Sequence, residues 1–153
     1  MKKKFLKNKN KIFYFATAIL FCCVAFWFFT LPKIEDVKKV KIGLAEIKVE
    51  LAVTPAQQVQ GLSGRTGLAT STGMLFVFDH SSKWGIWMKD MNFPIDVLWF
   101  TEDLKVGYIV ENMTPLSYPK IYEPNTDMKY VLEVPSGTVE KYGVKVGQSV
   151  VLK

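Results

Sequence analysis

The residues of this sequence that could do chemistry are a few charged side chains embedded in apolar runs. Asp96 lies in FPIDVLWF, between Ile95 and Val97, and Glu133 lies in YVLEV. Aspartate is disfavoured in the middle of a strand, and an inward-facing carboxylate must be paired or hydrogen-bonded because burying it alone is costly. Each carboxylate therefore needs a structural or a chemical reason for its position.

Two cations and a group of tryptophans are the candidate partners of these carboxylates. Lys89 could pair with Asp96 across a hairpin, and Arg65, in a glycine-rich loop, could bind a carboxylate through two nitrogens. Trp87 belongs to a group of three tryptophans between residues 84 and 99, and tryptophan can stack on sugars, although core packing is its commoner use. Two interpretations stay open. Either the charges lie on the solvent face or fix the strand register, or a ligand pocket is lined by Arg65, Trp87, Lys89, Asp96 and Glu133.

The sequence lacks the common catalytic and metal-binding motifs. It has no HExxH, no GxSxG and no glycine-rich phosphate loop followed by a lysine. His80 is the only histidine, and both cysteines, Cys22 and Cys23, lie in the N-terminal apolar segment. A His-rich or thiolate metal centre and an intradomain disulfide are therefore excluded after that segment. We expect no cofactor and no metal, and the question of catalysis stays open.

The N-terminal residues predict a membrane anchor. Residues 1–11 form a lysine-rich head, and residues 12–31 carry no charge, a run of about 20 residues that as a helix would cross the hydrocarbon core. A cleaved signal peptide is the alternative, but its apolar part is usually about 7–15 residues long and ends at small residues, whereas bulky Phe28 and Phe29 stand here. The positive-inside rule places the head in the cytoplasm. The predicted organisation is a cytoplasmic basic head (1–11), a transmembrane signal anchor (12–31), a linker (32–39) and an extracytoplasmic β domain (40–153).

The overall charge does not indicate nucleic-acid binding. The formal net charge is +6, but residues 42–153 contain nine Lys and one Arg against twelve acidic residues, a balance of −2. The excess of positive charge lies near the predicted membrane segment, where it suits anionic lipid headgroups. We therefore expect the membrane as a partner and no nucleic acid.

The remaining pattern predicts an all-β, mainly antiparallel domain. Short strands recur every 8–12 residues or so, with turns between them and no long amphipathic helix, which is typical of a sandwich or barrel of about seven or eight short strands. Residues 74–78 predict a strand buried on both faces, and a change of phase at 43–45 predicts a bulge or a turn. Residues 84–100 predict two strands that meet at a turn near 90–93. One or two short helices complete the domain.

The first of these helices has clear boundary signals. Thr54 suits the N-cap, Pro55 the first helical position, and Gln57 completes a capping box. Gly61 is placed to end the helix. A second short helix is predicted over TVEKYG, ending at Gly143.

The motifs ELAVT, GL-GR, GMLFVF, WMK, PIDV and YVLEVPSGTVEKYGVKVGQ occur in this order. Together they resemble the family called domain of unknown function 192, over residues 40–153. The resemblance implies a compact, β-rich, jelly-roll-like fold in proteins that are often exported or membrane-anchored, and it implies no established activity. The matching positions are Gly61, Arg65, Gly73, Met74, Phe76, Trp87, Met88, Lys89, Pro94, Asp96, Tyr130, Glu133, Gly137 and Gly147. The chain departs from the family pattern at Ser63, where Met is usual, and at Asp90-Met91, where Asn-Thr is usual.

Three hypotheses for the function follow. The leading one is a membrane-tethered extracytoplasmic domain that binds a small or saccharide ligand in a shallow pocket. The second is a glycan-acting enzyme that uses Asp96 and Glu133 as an acid/base pair, which requires carboxylates about 5–10 Å apart. The third is a structural protein of the cell envelope without a ligand. If Asp96 and Glu133 lie on opposite faces of a sheet, the second hypothesis fails.

Overall fold

In this computed structural model, residues 34–153 are described. The predicted basic head, the predicted anchor and the first two residues of the linker lie outside that range. No helix within 34–153 has the length and apolar character needed to cross a membrane. The strands are β1 Lys39–Ile42, β2 Ala45–Ala52, β3 Thr72–Ser82, β4 Ile86–Trp87, β5 Ile95–Phe100, β6 Val106–Met113, β7 Ile121–Tyr122, β8 Met128–Pro135 and β9 Val150–Leu152, and the helices are α1 Pro55–Gln60 and α2 Thr138–Tyr142. Short 3₁₀ turns occupy Ile34–Asp36 and Pro115–Ser117.

The last residues of the predicted linker belong to the folded domain. Val37 is buried, and the backbone N–H groups of Lys38 and Lys39 donate to the carbonyl of Lys153. β1 begins at Lys39 rather than after it. The apolar Val37 therefore packs with the domain, and Asp36 and Lys38 on either side of it are exposed.

Seven strands form one sheet in the order β6-β5-β8-β3-β2-β1-β9, and β4 pairs with β7 in a small second sheet. Only β2 and β3 pair in parallel; the other neighbours are antiparallel. The predicted all-β, mainly antiparallel class with two short helices is thus confirmed. Residues 34–153 contain nine strands, against the seven or eight predicted, and two of these strands, β4 and β7, have only two residues each.

The two ends of the large sheet approach each other. Lys105, just before β6, bridges to Ser149, just before β9. The N–H of Val106 donates to the carbonyl of Gln148 over 2.9 Å, and the N–H of Gly147 donates to the carbonyl of Val106 over 2.7 Å. The sheet therefore curls towards closure, which agrees with the barrel alternative. It is one continuous sheet rather than the two facing sheets of a jelly roll.

Both faces of the curled sheet are buried. On one face Leu75, Leu98 and Leu132 belong to one apolar cluster, and on the other Phe76 and Trp99 belong to a second. Because successive side chains alternate between faces, neighbours along a strand enter different clusters. β3 is buried on both faces over Met74–Phe76, as predicted, and all six residues of β5 are buried. The side of the sheet on which a charged residue lies is therefore set by its place in the alternation.

The local signals around α1 are confirmed in detail. The Thr54 hydroxyl accepts from the N–H of Gln57, and the Gln57 side chain accepts from the N–H of Thr54. Gly61 ends the helix with a φ of 48°, a region that favours glycine. In the loop that follows, Leu62 is buried in the second apolar cluster. The predicted irregularity at 43–45 is likewise a tight turn between β1 and β2.

The predicted pairing of the two strands in residues 84–100 is wrong. A turn does lie between them, but β4 pairs with β7, whereas β5 pairs with β6 and β8. A chain reversal seen in a sequence does not specify which strands become hydrogen-bonded neighbours, since pairing depends on contacts with distant strands. As a result Lys89 does not lie opposite Asp96.

Candidate functional site

Glu133 is the most unusual of the predicted site residues. It lies in the middle of β8, and its Cα partners on the neighbouring strands are Met74 and Val97, both apolar and buried. Only 5% of its surface is exposed, and within residues 34–153 no group hydrogen-bonds to its Oε2. Burial raises the pKa of Glu133 to about 8, and the positive charge of Arg65 opposes this only in part. The carboxyl group is therefore mainly protonated at neutral pH.

A cavity of about 60 Å³ lies against Glu133. We call it the Glu133 cleft. Its walls come from α1 and the loop after it, from β3 and β4, and from the loop before β5. They are formed by Gln58, Val59, Gln60, Gly61, Leu62, Ser63, Phe76, Gly85, Ile86, Trp87, Met91 and Glu133. The cleft therefore joins a buried carboxyl group to a partly apolar entrance.

Trp87 stands at the edge of the cleft. The residue is 46% exposed, and its ring contacts that of Tyr118 edge-on with ring centroids 6.2 Å apart. β4 also places it opposite Ile121 of β7, which is exposed as well. A large, half-exposed aromatic ring beside a cavity is available for contact with a ligand.

Arg65 lies near Glu133 but is bound to another carboxylate. Its two terminal nitrogens each donate to a different oxygen of Glu50, both over 2.8 Å. Glu50 of β2 and Glu133 of β8 are both register partners of Met74, so the two acidic residues lie in one row across the sheet. Glu50 is not among the site residues predicted from the sequence. An acidic residue in an alternating strand gives no sign of its partner, and only the parallel register of β2 and β3 brings Glu50 into this row.

The loop that carries Arg65 is held against the loop after β4. The Ser63 hydroxyl donates to the carbonyl of Lys89 over 2.8 Å, and the N–H of Gly64 donates to the carbonyl of Asp90 over 2.8 Å. The Asn92 side chain donates to the carbonyl of Arg65. Two positions that depart from the family pattern, Ser63 and Asp90, therefore take part in this contact. The contact closes one side of the Glu133 cleft.

Asp96 lies elsewhere and is fully satisfied by the backbone. It is 0% exposed, and its two oxygens accept from the N–H groups of Asn112 and Val139, both over 2.9 Å. In the register Asp96 is opposite Val134, whereas Val97 is opposite Glu133. The side chains of Asp96 and Glu133 therefore point to opposite faces of the sheet. They do not form the acid/base pair that the glycan-enzyme hypothesis requires.

Lys89 contributes to the site only through its backbone. Its side chain is exposed and forms no ion pair within the part of the chain that the structure describes. The predicted Lys89–Asp96 pair is therefore wrong. Of the five predicted residues, Glu133 and Trp87 line the Glu133 cleft. Arg65 acts on Glu133 through its charge but is bound to Glu50. Lys89 contributes only a carbonyl to the adjoining loop contact, and Asp96 lies on the other face of the sheet.

A second cavity, of about 130 Å³, lies between the loop before β3 and α2. Its polar side chains are largely bound to other groups: Ser71 to Tyr142, Ser136 to Asn112, and Thr138 to a backbone carbonyl. It is larger but contains none of the predicted site residues. Residues 34–153 also contain no group of three His, Cys, Asp or Glu side chains placed to hold a metal ion. The Glu133 cleft is therefore the stronger candidate.

Comparison with known families decides the affiliation of the chain. The family model DUF192, described as "Uncharacterized ACR", matches residues 37–152. The chain belongs to the DUF192 family. This confirms the resemblance seen in the sequence motifs, and it assigns no activity.

Two solved structures are similar to this DUF192 protein. One is a protein from Sinorhizobium meliloti 1021 called a "putative transcription regulator", with 35% identity, a TM-score of 0.70, and coverage of 74% of this chain and 92% of that one. The other is a protein of unknown function from Novosphingobium aromaticivorans DSM 12444, with 28% identity, a TM-score of 0.70, and coverage of 75% and 84%. A search of curated proteins found no match.

Proposed function

We propose that this DUF192 protein is a membrane-tethered, extracytoplasmic binding domain that takes a small polar ligand, or one end group of a saccharide, in the Glu133 cleft. The observation that carries the proposal is Glu133, which lines the cleft and whose buried Oε2 has no hydrogen-bond partner within residues 34–153. A buried polar atom without a partner costs roughly 1–3 kcal/mol. A ligand that bonds to this atom recovers that free energy on binding.

The dimensions of the cleft limit the ligand. A cavity of about 60 Å³ holds a few water-sized groups, since roughly 10–15 Å³ is enough for one water molecule by the same measure. A whole sugar ring therefore stays outside, where the exposed face of Trp87 offers a stacking surface. One hydroxyl, amide or amine group of the ligand would enter to reach Glu133.

The proposed location comes from the N-terminal residues. The lysine-rich residues 1–11 and the uncharged residues 12–31 support a signal anchor with the domain outside the cytoplasm. A reporter fused after Lys153 tests this part by itself. Activity of a periplasm- or surface-dependent reporter is expected, and activity of a cytoplasm-dependent reporter would reverse the topology.

Neither nucleic acid nor an Asp96/Glu133 enzyme is favoured. The transcription-regulator description of the S. meliloti relative is not adopted for this chain, because residues 42–153 carry a balance of −2 and nucleic-acid binding generally requires a basic surface. The enzyme hypothesis lacks its carboxylate pair, because Asp96 and Glu133 lie on opposite faces. A structural envelope protein without a ligand is the main competing function.

Ligand screening of the full chain tests the binding function. We would use saturation-transfer NMR on the detergent-solubilised protein, with a panel of small amides, alcohols, amines and envelope saccharides. The affinity of each hit is then measured for the variants Glu133→Gln and Trp87→Ala. Glu111→Gln, which changes an exposed carboxylate of β6, is the control. Loss of one hydrogen bond to a buried carboxyl group predicts roughly 10- to 100-fold weaker binding for the Glu133 variant. An empty screen, or hits that no cleft variant weakens, would favour the structural protein.

A further inference from the structure

Some polar groups of the Glu133 cleft already form hydrogen bonds within the part of the chain that the structure describes, and others do not. The side-chain amide of Gln58 donates to the carbonyls of Ala52 and Val77, and that of Gln60 donates to the carbonyl of Ser63. The Ser63 hydroxyl donates to the carbonyl of Lys89. These donors are thus already engaged with backbone carbonyls. Glu133 Oε2, by contrast, has no hydrogen-bond partner within residues 34–153. When the carboxyl group is ionised it only accepts hydrogen bonds, so in that state the cleft suits a ligand that donates them.

The charges beside the cleft favour a cation. Arg65 is held by both oxygens of Glu50, and the two opposite charges offset each other. Ionised Glu133 would then leave one negative charge without a counter-ion. Its neighbours in the row, Met74 and Val97, are apolar. A cation in the cleft would supply the missing positive charge.

The walls of the cleft fit a small ammonium group. Trp87 and Phe76 are both part of the lining, and aromatic rings attract cations, most strongly when water is excluded. The volume of about 60 Å³ accepts a primary ammonium group and a short part of its carbon chain. A quaternary ammonium group would fill it with no hydrogen bond to donate to Glu133.

We propose that the group recognised by the Glu133 cleft is a primary ammonium, and that it takes the place of the proton on the Glu133 carboxyl group when it binds. This inference rests on the proposed binding function. The step breaks the O–H bond of Glu133 and releases the proton to the buffer. The ammonium then donates to the resulting carboxylate, and no covalent bond to the ligand forms.

The proposal predicts a specific pH dependence. The groups that face Glu133 from the packed elements are Met74, Val97, the side chains of the cleft and the Arg65–Glu50 pair. Burial among them raises the pKa of Glu133, and of these groups only Arg65 acts on that pKa through its charge, which lowers it. Lys89 and Asp90 contact the cleft wall through their carbonyls, and their side chains are exposed. With a pKa of Glu133 of about 8, affinity for an ammonium ion should rise about tenfold from pH 6 to pH 7 and level off above pH 8 or so.

Isothermal titration calorimetry on the full chain in detergent micelles tests the proposal. The probes are ethanolamine, which remains an ammonium ion through this range, its neutral isostere ethylene glycol, and glucose. Titrations at pH 7 in two buffers of different ionisation enthalpy count the released protons. We expect ethanolamine to bind at least about tenfold more tightly than ethylene glycol, as one charge-assisted hydrogen bond predicts, with close to one proton released.

The outcomes separate this proposal from the function on which it rests. Binding of glucose or ethylene glycol with no preference for ethanolamine would overturn the ammonium assignment and leave the binding function standing. Ethanolamine binding without proton release would overturn the proposal that the ammonium group takes the place of the Glu133 proton. If no probe binds and the wider screen is empty, both proposals fail.

Two variants test whether Glu133 itself accounts for the ethanolamine preference and the proton release. Glu133→Gln should lose both the ethanolamine preference and the proton release, whereas Glu111→Gln on exposed β6 should keep both. Retention of the preference by Glu133→Gln would overturn the proposal. If Glu133→Gln does not fold, the proton count on the unsubstituted chain decides, since it requires no variant.

Discussion

Replacing Glu133 by Gln should stabilise the protein at neutral and alkaline pH. The folded protein keeps the proton on Glu133 up to a pKa of about 8, because burial disfavours the charged form, whereas the ordinary pKa of a glutamate side chain is 4.5. Between these two values the unfolded chain has already released the proton that the folded chain retains. Folding stability therefore falls as the pH rises through this interval. Glutamine is neutral at every pH and removes this loss.

The magnitude follows from the width of the interval. Each pH unit between 4.5 and about 8 costs the folded state about 1.4 kcal/mol, so the full interval amounts to about 5 kcal/mol. This is an upper value, because water that enters the adjacent cavity would hydrate the ionised carboxylate. The variant and the unsubstituted chain should be nearly equal in stability below pH 4.5 or so. Their difference should then grow and become constant above pH 8 or thereabouts.

Urea unfolding followed by tryptophan fluorescence, at intervals from pH 4 to pH 9, measures this difference. Glu111→Gln serves as the matched control, because it removes an exposed carboxylate from β6 and should show no such growth with pH. A difference that does not change with pH would contradict the raised pKa. A Glu133→Gln variant less stable than the unsubstituted chain at pH 8 would show that the ionised carboxylate has a partner in solution.

Three further substitutions test the rest of the reasoning. Asp96→Asn leaves one of two backbone N–H donors facing an amide nitrogen, so the free energy of unfolding measured in urea should fall by about 2–4 kcal/mol. The affinity of the folded protein for a ligand should not change. A loss of affinity without a loss of stability would show that Asp96 belongs to the site. Arg65→Ala breaks an ion pair at the surface and should lower the free energy of unfolding by less than about 1 kcal/mol. It should also raise the pKa of Glu133, because the charge of Arg65 lowers that pKa. If the pH dependence of unfolding does not change, Arg65 and Glu133 are not coupled. Gly73→Ala places a Cβ 2.5 Å from a backbone carbonyl oxygen, whereas a Cβ at Gly67 meets nothing within 4 Å, so thermal unfolding should show a loss of about 1–3 kcal/mol for the first substitution only.

The local features of the fold were predictable from the sequence. The capping box at Thr54, the helix end at Gly61 and the apolar strand at 74–78 all occur where predicted. Each depends on residues within a few positions of one another, through a cap hydrogen bond, a positive φ or an alternation of side chains. The all-β class follows in the same way from the spacing of short apolar runs.

The neighbours of each strand were not predictable in this way. The pairing of β5 with β8 rather than β4, and the parallel alignment of β2 with β3, join residues far apart in the chain. Many arrangements of short strands satisfy the same local pattern. The choice among them depends on how completely both faces of the sheet are buried.

By itself, the sequence determined that Asp96 and Glu133 are carboxylates in apolar strands, and that each needs a partner or a purpose. It could not distinguish the two, because both lie between apolar residues. The tertiary structure separated them through register. Asp96 faces two backbone N–H groups on one side of the sheet, and Glu133 faces an open cleft on the other. Hydrogen bonds from distant segments satisfy the first carboxylate, whereas within residues 34–153 none reaches Oε2 of the second, and no local pattern in the sequence encodes that difference.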